Sequence, residues 1–145
     1  MKISSRGRYA LRVMIDLAEH DDGAWIPMKE VAQRQAISLK YLEKILPLLV
    51  AGNLVEGIHG KGGGYRLTRS PKEYPISEIL RLTEGNRAPV ECLTQEPAGC
   101  ERSAECPTLP VWQGLYRVIS EYLDGITLQD ILDQQRERYS NDYVI

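Results

Sequence analysis

Three observations in the sequence predict a mainly α chain with one small β-hairpin and a long helix towards the C-terminus. Residues 27–51 hold two short helical patterns only a few residues apart, the second with Leu42, Ile45, Leu46 and Leu49 at helical spacing. Straight after them, four glycines fall within the six residues His59–Gly64, between the β-type runs Leu54–Ile58 and Tyr65–Leu67. Further on, residues 110–124 place Val111, Trp112, Leu115, Val118, Ile119, Tyr122 and Leu123 on one wide apolar face.

In chain order, Ser4 and Ser5 can cap a first helix that runs to about His20, with Ala10, Val13, Met14, Leu17 and Ala18 as its buried stripe. Asp21-Asp22-Gly23-Ala24 is a turn, and Trp25-Ile26 is expected to begin a short strand that joins the hairpin sheet. Met28, Val31 and Ala32 line one side of a short helix. Ser38, just after Ile37, can cap the next one, and Lys40, Tyr41, Glu43 and Lys44 form its polar leading edge. Pro47 removes a backbone donor and its ring crowds the carbonyl of Glu43, so a bend is expected there, leaving 38–46 as the straight part. Ala51-Gly52-Asn53 ends the helix. Ser70-Pro71 closes the hairpin, and Ser77 is expected to cap a helix to about Glu84 with Ile79, Leu80 and Leu82 apolar. Residues 85–109 are irregular, rich in Gly, Pro, Glu and Cys, and a loop of that length is usually functional or disordered. Gly125 breaks the long helix, Thr127 caps a last one to about Arg138, and the tail from Tyr139 to Ile145 is expected to fray. The organisation read from this is a domain at 1–85, a cysteine loop at 86–109 and C-terminal helices at 110–145.

With 145 residues the chain can form one compact domain with an appended helix or two, but not a large catalytic domain beside a binding one. No apolar run approaches membrane-spanning length, and Lys2, Arg6 and Arg8 leave no room for a signal-peptide core. A cytoplasmic protein without membrane contact is expected. The net charge of −2 hides an asymmetry: residues 1–69 hold eleven Lys or Arg against seven acids, a net of +4, and residues 70–145 hold seven against thirteen, a net of −6. Positive potential is thus confined to the half with the paired helices. The glycine-rich turn fits no nucleotide motif. A P-loop needs Gly and Ser or Thr where Val55 and Gly62 stand, and a dinucleotide fingerprint needs a helix where Tyr65-Arg66-Leu67 reads as a strand.

Two short helices with a polar leading edge, followed by a hairpin in a basic half, are the parts of a winged helix-turn-helix that reads duplex DNA. Ser38 and Lys40 can reach phosphates or guanine edges, and Tyr41 and Lys44 complete that edge. Glu43 either accepts from cytosine N4 or pairs with Lys40 or Lys44 at the surface. Lys2, Arg6 and Arg8, at the start of the first helix, are expected to hold the DNA backbone with the free N–H groups of the helix end. His59 and Lys61 ride on the wing turn. The apolar face of residues 110–124 is too wide for a lone surface helix, and a two-fold partner helix is expected to cover it, since such proteins read two half-sites.

All three cysteines lie in the irregular segment, as Cys92-x7-Cys100-x5-Cys106, outside any apolar run. Three thiols cannot all pair as disulfides, and there is no Cys-x2-Cys pair of the kind zinc sites favour. A long loop suits an iron–sulfur cluster better, because such clusters tolerate wide spacing.

Four stretches occur in one order: Lys2-Ile3-Ser4-x-x-Gly7-Arg8-Tyr9-Ala10, Ile37-Ser38-x-x-Tyr41-Leu42-Glu43, Gly60-x-x-Gly63-Gly64-Tyr65-x-Leu67, and Ile79 to Gly85. With them the chain resembles, over nearly its whole length, the IscR-like regulators of the Rrf2 family of winged-helix transcription factors. The resemblance implies that Cys92, Cys100 and Cys106 ligate a cluster, either 2Fe–2S or 4Fe–4S. Some members place a histidine ligand where this chain has Leu109, and others recruit an N-terminal carboxylate in the neighbourhood of Arg8, a cation. The fourth ligand is therefore open: Glu101, Glu105, a residue of the partner subunit or a small molecule. The resemblance also implies a base-reading or site-selecting role for Glu43, and a wing Arg at the position of His59. An uncharged imidazole gains less than Arg from a narrow minor groove, so weaker wing readout is expected, with help from Lys61.

The expected function is a homodimeric repressor on a partly palindromic double-stranded DNA operator, with half-sites about one helical turn (roughly 34 Å) apart, controlled by the cluster. One alternative keeps DNA binding but gives control to thiol oxidation or a regulatory partner protein. Another, of a different class, is an iron–sulfur carrier. An enzyme is not expected, because neither His20 nor His59 lies near a cysteine in sequence and no acid–base pair stands out.

Overall fold

The computed structural model describes residues 1–142 of the chain. Six helices and one hairpin follow in order: α1 (Ser5–Glu19), α2 (Met28–Gln35), α3 (Leu39–Ala51), β1 (Val55–Ile58), β2 (Gly64–Leu67), α4 (Ile76–Glu84), α5 (Leu109–Asp124) and α6 (Leu128–Asp142). The Ser4 hydroxyl caps α1 by accepting the Gly7 N–H at 3.2 Å. α2 stops where Ala36 turns left-handed, at φ 53°, and the Ser38 hydroxyl restarts the chain as α3 by accepting the Tyr41 N–H at 3.1 Å. Pro47 lies inside α3, which continues unbroken to Ala51. The proline is exposed, so its missing donor costs one bond without ending the helix.

The strands pair antiparallel with Val55 opposite Leu67 and Ile58 opposite Gly64. Ile26 joins them through two bonds with Tyr65, each 2.9 Å, so residues 25–26 contribute a single bridge instead of the expected strand. Gly64 makes that approach possible, since a Cβ there would collide with the Ile26 backbone. At the base of the hairpin the Tyr74 ring is fully buried. Its hydroxyl donates to the Leu54 carbonyl at 2.8 Å and accepts the N–H groups of Thr68 and Arg69, both at 2.9 Å. A capping box between Ser70 and Glu73 shapes the 3-10 turn that carries Tyr74.

Two end-of-element expectations are corrected. Ser77 does not cap α4: it sits buried in the first turn, and Pro75 is the residue that leads in. The last helix does not stop near Arg138 but carries Tyr139–Asp142 as helix, and residues 143–145 lie outside the described residues. Thr127 does start α6, through a reciprocal pair in which the Asp130 N–H reaches Thr127 Oγ1 at 3.2 Å and the Thr127 N–H reaches Asp130 Oδ2 at 2.9 Å.

The core is built from α1, α3, α4 and the hairpin base, with Val13, Met14, Leu17, Leu42, Ile45, Leu49, Leu54 and Ile79 shielded from solvent. α6 returns to it by burying Leu128, so the C-terminal segment shares the core of residues 1–85. α5 lies against α4 and buries only Leu109. Among the described residues no helix is long and apolar enough to cross a membrane.

Candidate nucleic-acid interface and cysteine loop

The platform under α3 is fixed by a carboxylate that the sequence reading passed over. Asp16, on the inner side of α1, is buried, and Arg34 of α2 grips it with two bonds of 3.1 and 2.8 Å while the Gln35 amide adds a third at 2.9 Å. The hydrogen bond to Asp16 raises the Arg34 pKa above its ordinary value, against a smaller opposing effect of burial. Arg12 extends the weld by donating to the Gln35 side chain at 3.2 Å and to its carbonyl, with its guanidinium over the Tyr9 ring. The Tyr9 ring meets Tyr41 edge-on, 5.3 Å between centroids. α1, α2 and the start of α3 therefore hold one relative geometry. The available signal was an acid set beside the apolar stripe of α1.

On that platform Ser38, Lys40, Glu43 and Lys44 are exposed and Tyr41 is half-buried. Ser38 spends its acceptor on the Tyr41 N–H, which leaves its hydroxyl proton free to donate. Among the described residues no ion pair joins Glu43 to Lys40 or Lys44. Lys2 is exposed, as is Arg8, whose guanidinium touches Ser5 Oγ at 3.0 Å. Arg6 is exposed and makes a contact the sequence did not suggest: its Nε and Nη2 both donate to the Thr83 carbonyl at the C-terminal end of α4, at 3.1 and 2.7 Å.

His59 and Lys61 stand exposed at the tip of the wing. Arg66, not singled out in the sequence, holds the wing's arm: it stacks 4.0 Å over Trp25, bonds Glu56 at 2.7 Å and donates to the Gly23 carbonyl at 3.1 Å.

The cysteine loop contains three free thiols, Cys92 and Cys106 half-buried and Cys100 exposed. The Gly99 N–H donates to the Cys92 carbonyl at 2.9 Å, which brings the backbone before Cys100 back beside Cys92. The Cys106 sulfur lies 3.3 Å from Thr108 Oγ1, and that bond, with further help from the Thr108 backbone, lowers its thiol pKa below the ordinary range. The donor set fits an iron–sulfur cluster in its chemistry, three soft ligands on one loop. Among the described residues no three His, Cys, Asp or Glu converge on a metal position. Glu101 and Glu105 are exposed, whereas Leu109 is buried at the start of α5.

The wide apolar face of α5 divides in two. Trp112, Ile119 and Leu123 are half-buried, and Leu123 packs on the core. Val111, Leu115, Val118 and Tyr122, one turn apart from each other, are exposed at 60, 41, 60 and 65%.

Residues 3–134 match the Rrf2 family, described as an iron-dependent transcriptional regulator. The HTH-type transcriptional regulator IscR of Aliivibrio salmonicida is 36% identical over 132 residues, covering 91% of this chain and 77% of that one. Among solved structures, CymR, the global cysteine regulator of B. subtilis, superposes with a TM-score of 0.75 at 35% identity, covering 92% of this chain and 98% of the other. The IscR of T. potens gives a TM-score of 0.74 at 31% identity, covering 95 and 90%.

Proposed function

From the premise that the chain belongs to the Rrf2 family of transcriptional regulators, we propose that it is a homodimeric repressor, paired through α5 and governed by an iron–sulfur cluster on Cys92, Cys100 and Cys106. DNA-binding regulation comes with the family, and its members here are regulators and not enzymes. The pairing and the cluster are the further steps. The observation that carries them is continuity: a loop with three free thiols runs directly into a helix whose outer stripe is bare and apolar.

In this reading α3 enters the major groove with Ser38, Lys40, Tyr41, Glu43 and Lys44, while Lys2 and Arg8 hold phosphates and His59 and Lys61 approach the minor groove. Two copies joined along Val111, Leu115, Val118 and Tyr122 present two such helices to half-sites about one helical turn apart. When bound, the cluster supplies a centre sensitive to oxidation and to iron supply. The protein's part is to bring three thiolates together, which requires the loop to close further than it does here, and to offer a fourth ligand from Glu101, Glu105, the partner subunit or a small molecule. Leu109 cannot ligate, and Arg8 cannot either. Three protein thiolates with a variable fourth ligand are compatible with a 2Fe–2S or a 4Fe–4S centre.

The test is purification without oxygen, followed by a visible absorption spectrum, iron and sulfide analysis, and operator gel shifts with and without oxidant. Bound iron with a visible band, both lost in Cys92→Ala, Cys100→Ala or Cys106→Ala, supports the reading. Colourless, iron-free protein overturns the cluster and favours the second reading, the same repressor controlled by thiol oxidation or a partner protein. An iron–sulfur carrier would pass its cluster to an apo-acceptor and show no salt-dependent operator binding.

A further inference from the structure

The cysteine loop leaves α4 at Gly85, and the last two residues of α4 are fastened to the beginning of α1 at two points. The Glu84 carboxylate accepts the Ser4 hydroxyl at 2.5 Å and the Ser4 N–H at 3.3 Å. Beside it the Thr83 carbonyl, at the open end of α4, accepts both Arg6 bonds. A third feature shows that the contact is built into the helix. Gly7 is buried in α1, and a Cβ at that position would collide with the Glu84 carboxylate, so the helix makes room for the acid where Ala would serve helix formation better. Ser4 is also the residue that caps α1. Glu84 thus touches the residue that sets where α1 begins, between Lys2 on one side and Arg8 on the other.

We propose that Thr83 and Glu84 form a latch on Ser4 and Arg6 through which the state of the cysteine loop reaches the DNA-backbone end of α1. This deepens the operator-binding reading above and rests on it. Gly85 has φ 66°, a conformation open to glycine, and stands between the latch and the loop. Rearrangement of the loop turns the chain at Gly85 and pulls on the last turn of α4, because no intervening element absorbs the motion. The two bonds from Ser4 to the Glu84 carboxylate carry that displacement to the cap of α1, and with it to Lys2 and Arg8, while the Arg6 bonds to Thr83 keep the two helix ends side by side. Arg6 then has a role beside its expected phosphate contact: it ties the helix bearing the contacts to the helix bearing the sensor. Coupling of this kind is a difference in operator affinity between two loop states, so it must disappear when the tie is cut, even if both states still bind.

The experiment measures operator affinity by fluorescence anisotropy in two loop states. One is the full chain reconstituted without oxygen with iron and sulfide, and the other is the metal-free chain with its thiols blocked by N-ethylmaleimide. The wild type is expected to differ at least tenfold between the states. Glu84→Ala is expected to bring the two affinities within about twofold of each other while operator binding persists. Gly7→Ala supplies a second route that leaves Glu84 in place. Its methyl displaces the flexible end of that side chain, and it is a better helix former, so the expected result is the same loss of ratio with an unchanged or raised Tm. Amide exchange over residues 4–10 gives a readout free of DNA: it should respond to loop state in the wild type and not in either variant. A full wild-type ratio retained in both variants overturns the latch alone. A wild type that binds the operator with no ratio between the states overturns the latch together with the proposed loop control, and a wild type that binds no operator overturns the operator-binding reading itself.

Discussion

α3 and α5 are both amphipathic, and they spend their apolar sides differently. α3 sinks Leu42, Ile45, Leu46 and Leu49 into the core of its own chain and turns Lys40, Glu43 and Lys44 outward. α5 buries only Leu109 and turns Val111, Leu115, Val118 and Tyr122 outward. A helix whose apolar side is already satisfied selects its partner by charge and hydrogen bonds, so its binding weakens with salt. A helix with an unsatisfied apolar side selects by removal of area from water, which salt does not screen. The two faces should therefore separate when ionic strength is varied: raising salt from 50 to 200 mM should weaken operator binding by about three orders of magnitude or more if several phosphates are contacted. The oligomeric state should stay as it was.

Val118→Glu is the change with the largest expected effect. Val118 is exposed in the single chain, so the substitution leaves the fold intact by circular dichroism. In a two-fold contact it places two carboxylates near each other and removes apolar burial worth about 1.5–3 kcal/mol per copy. Sedimentation at micromolar concentration should show monomer, and operator affinity should fall about 100-fold as one half-site is lost. A variant that remains dimeric would mean that α5 is covered by something other than its own copy.

Both faces were legible in the sequence for the same reason, since each is a periodicity and periodicity is local. Ser38 as cap, the buried leucines of α3 and the outward stripe of α5 follow from residues within one or two turns of each other. What holds the site in place was not legible, because it depends on pairs far apart in the chain. Asp16 finds Arg34 and Gln35 across a turn, Arg6 finds Thr83 77 residues further along the chain, and Arg66 finds Gly23. Spacing alone places a charged side chain at a helix start, and only tertiary structure reveals the neighbouring helix end that it also touches. The cysteines are an intermediate case: their shared loop was evident from position, but convergence is a matter of loop geometry that spacing does not fix.

The lock under α3 has no counterpart in α5. Asp16→Ala leaves the Arg34 guanidinium and the Gln35 amide without their shared acceptor. Arg34 is partly exposed and can turn to water, so the loss should be about 2 kcal/mol rather than the larger cost of stranding a fully buried charge. Urea unfolding should show that loss, operator affinity should fall with it as α2 and α3 loosen, and the proposed pairing through α5 should be unaffected. Equal loss of dimer would mean that the two faces share a support.

His59→Arg is the smallest change and the one that separates the wing from the helix it flanks. His59 is exposed at the hairpin tip and makes no ion pair among the described residues, so the substitution disturbs nothing in the folded chain. The arm that carries it is held by Arg66 against Trp25, Glu56 and the Gly23 carbonyl, so a new guanidinium there is delivered to a fixed place. If that place is the minor groove, the charge meets the enhanced negative potential of a narrow groove, and affinity should rise about three- to tenfold on A·T-rich flanks and less on G·C-rich ones. If it lies over the backbone, the gain should be the same on both flanks and the salt slope should steepen by about one. No gain on either flank would leave α3 and the start of α1 as the whole of the DNA contact.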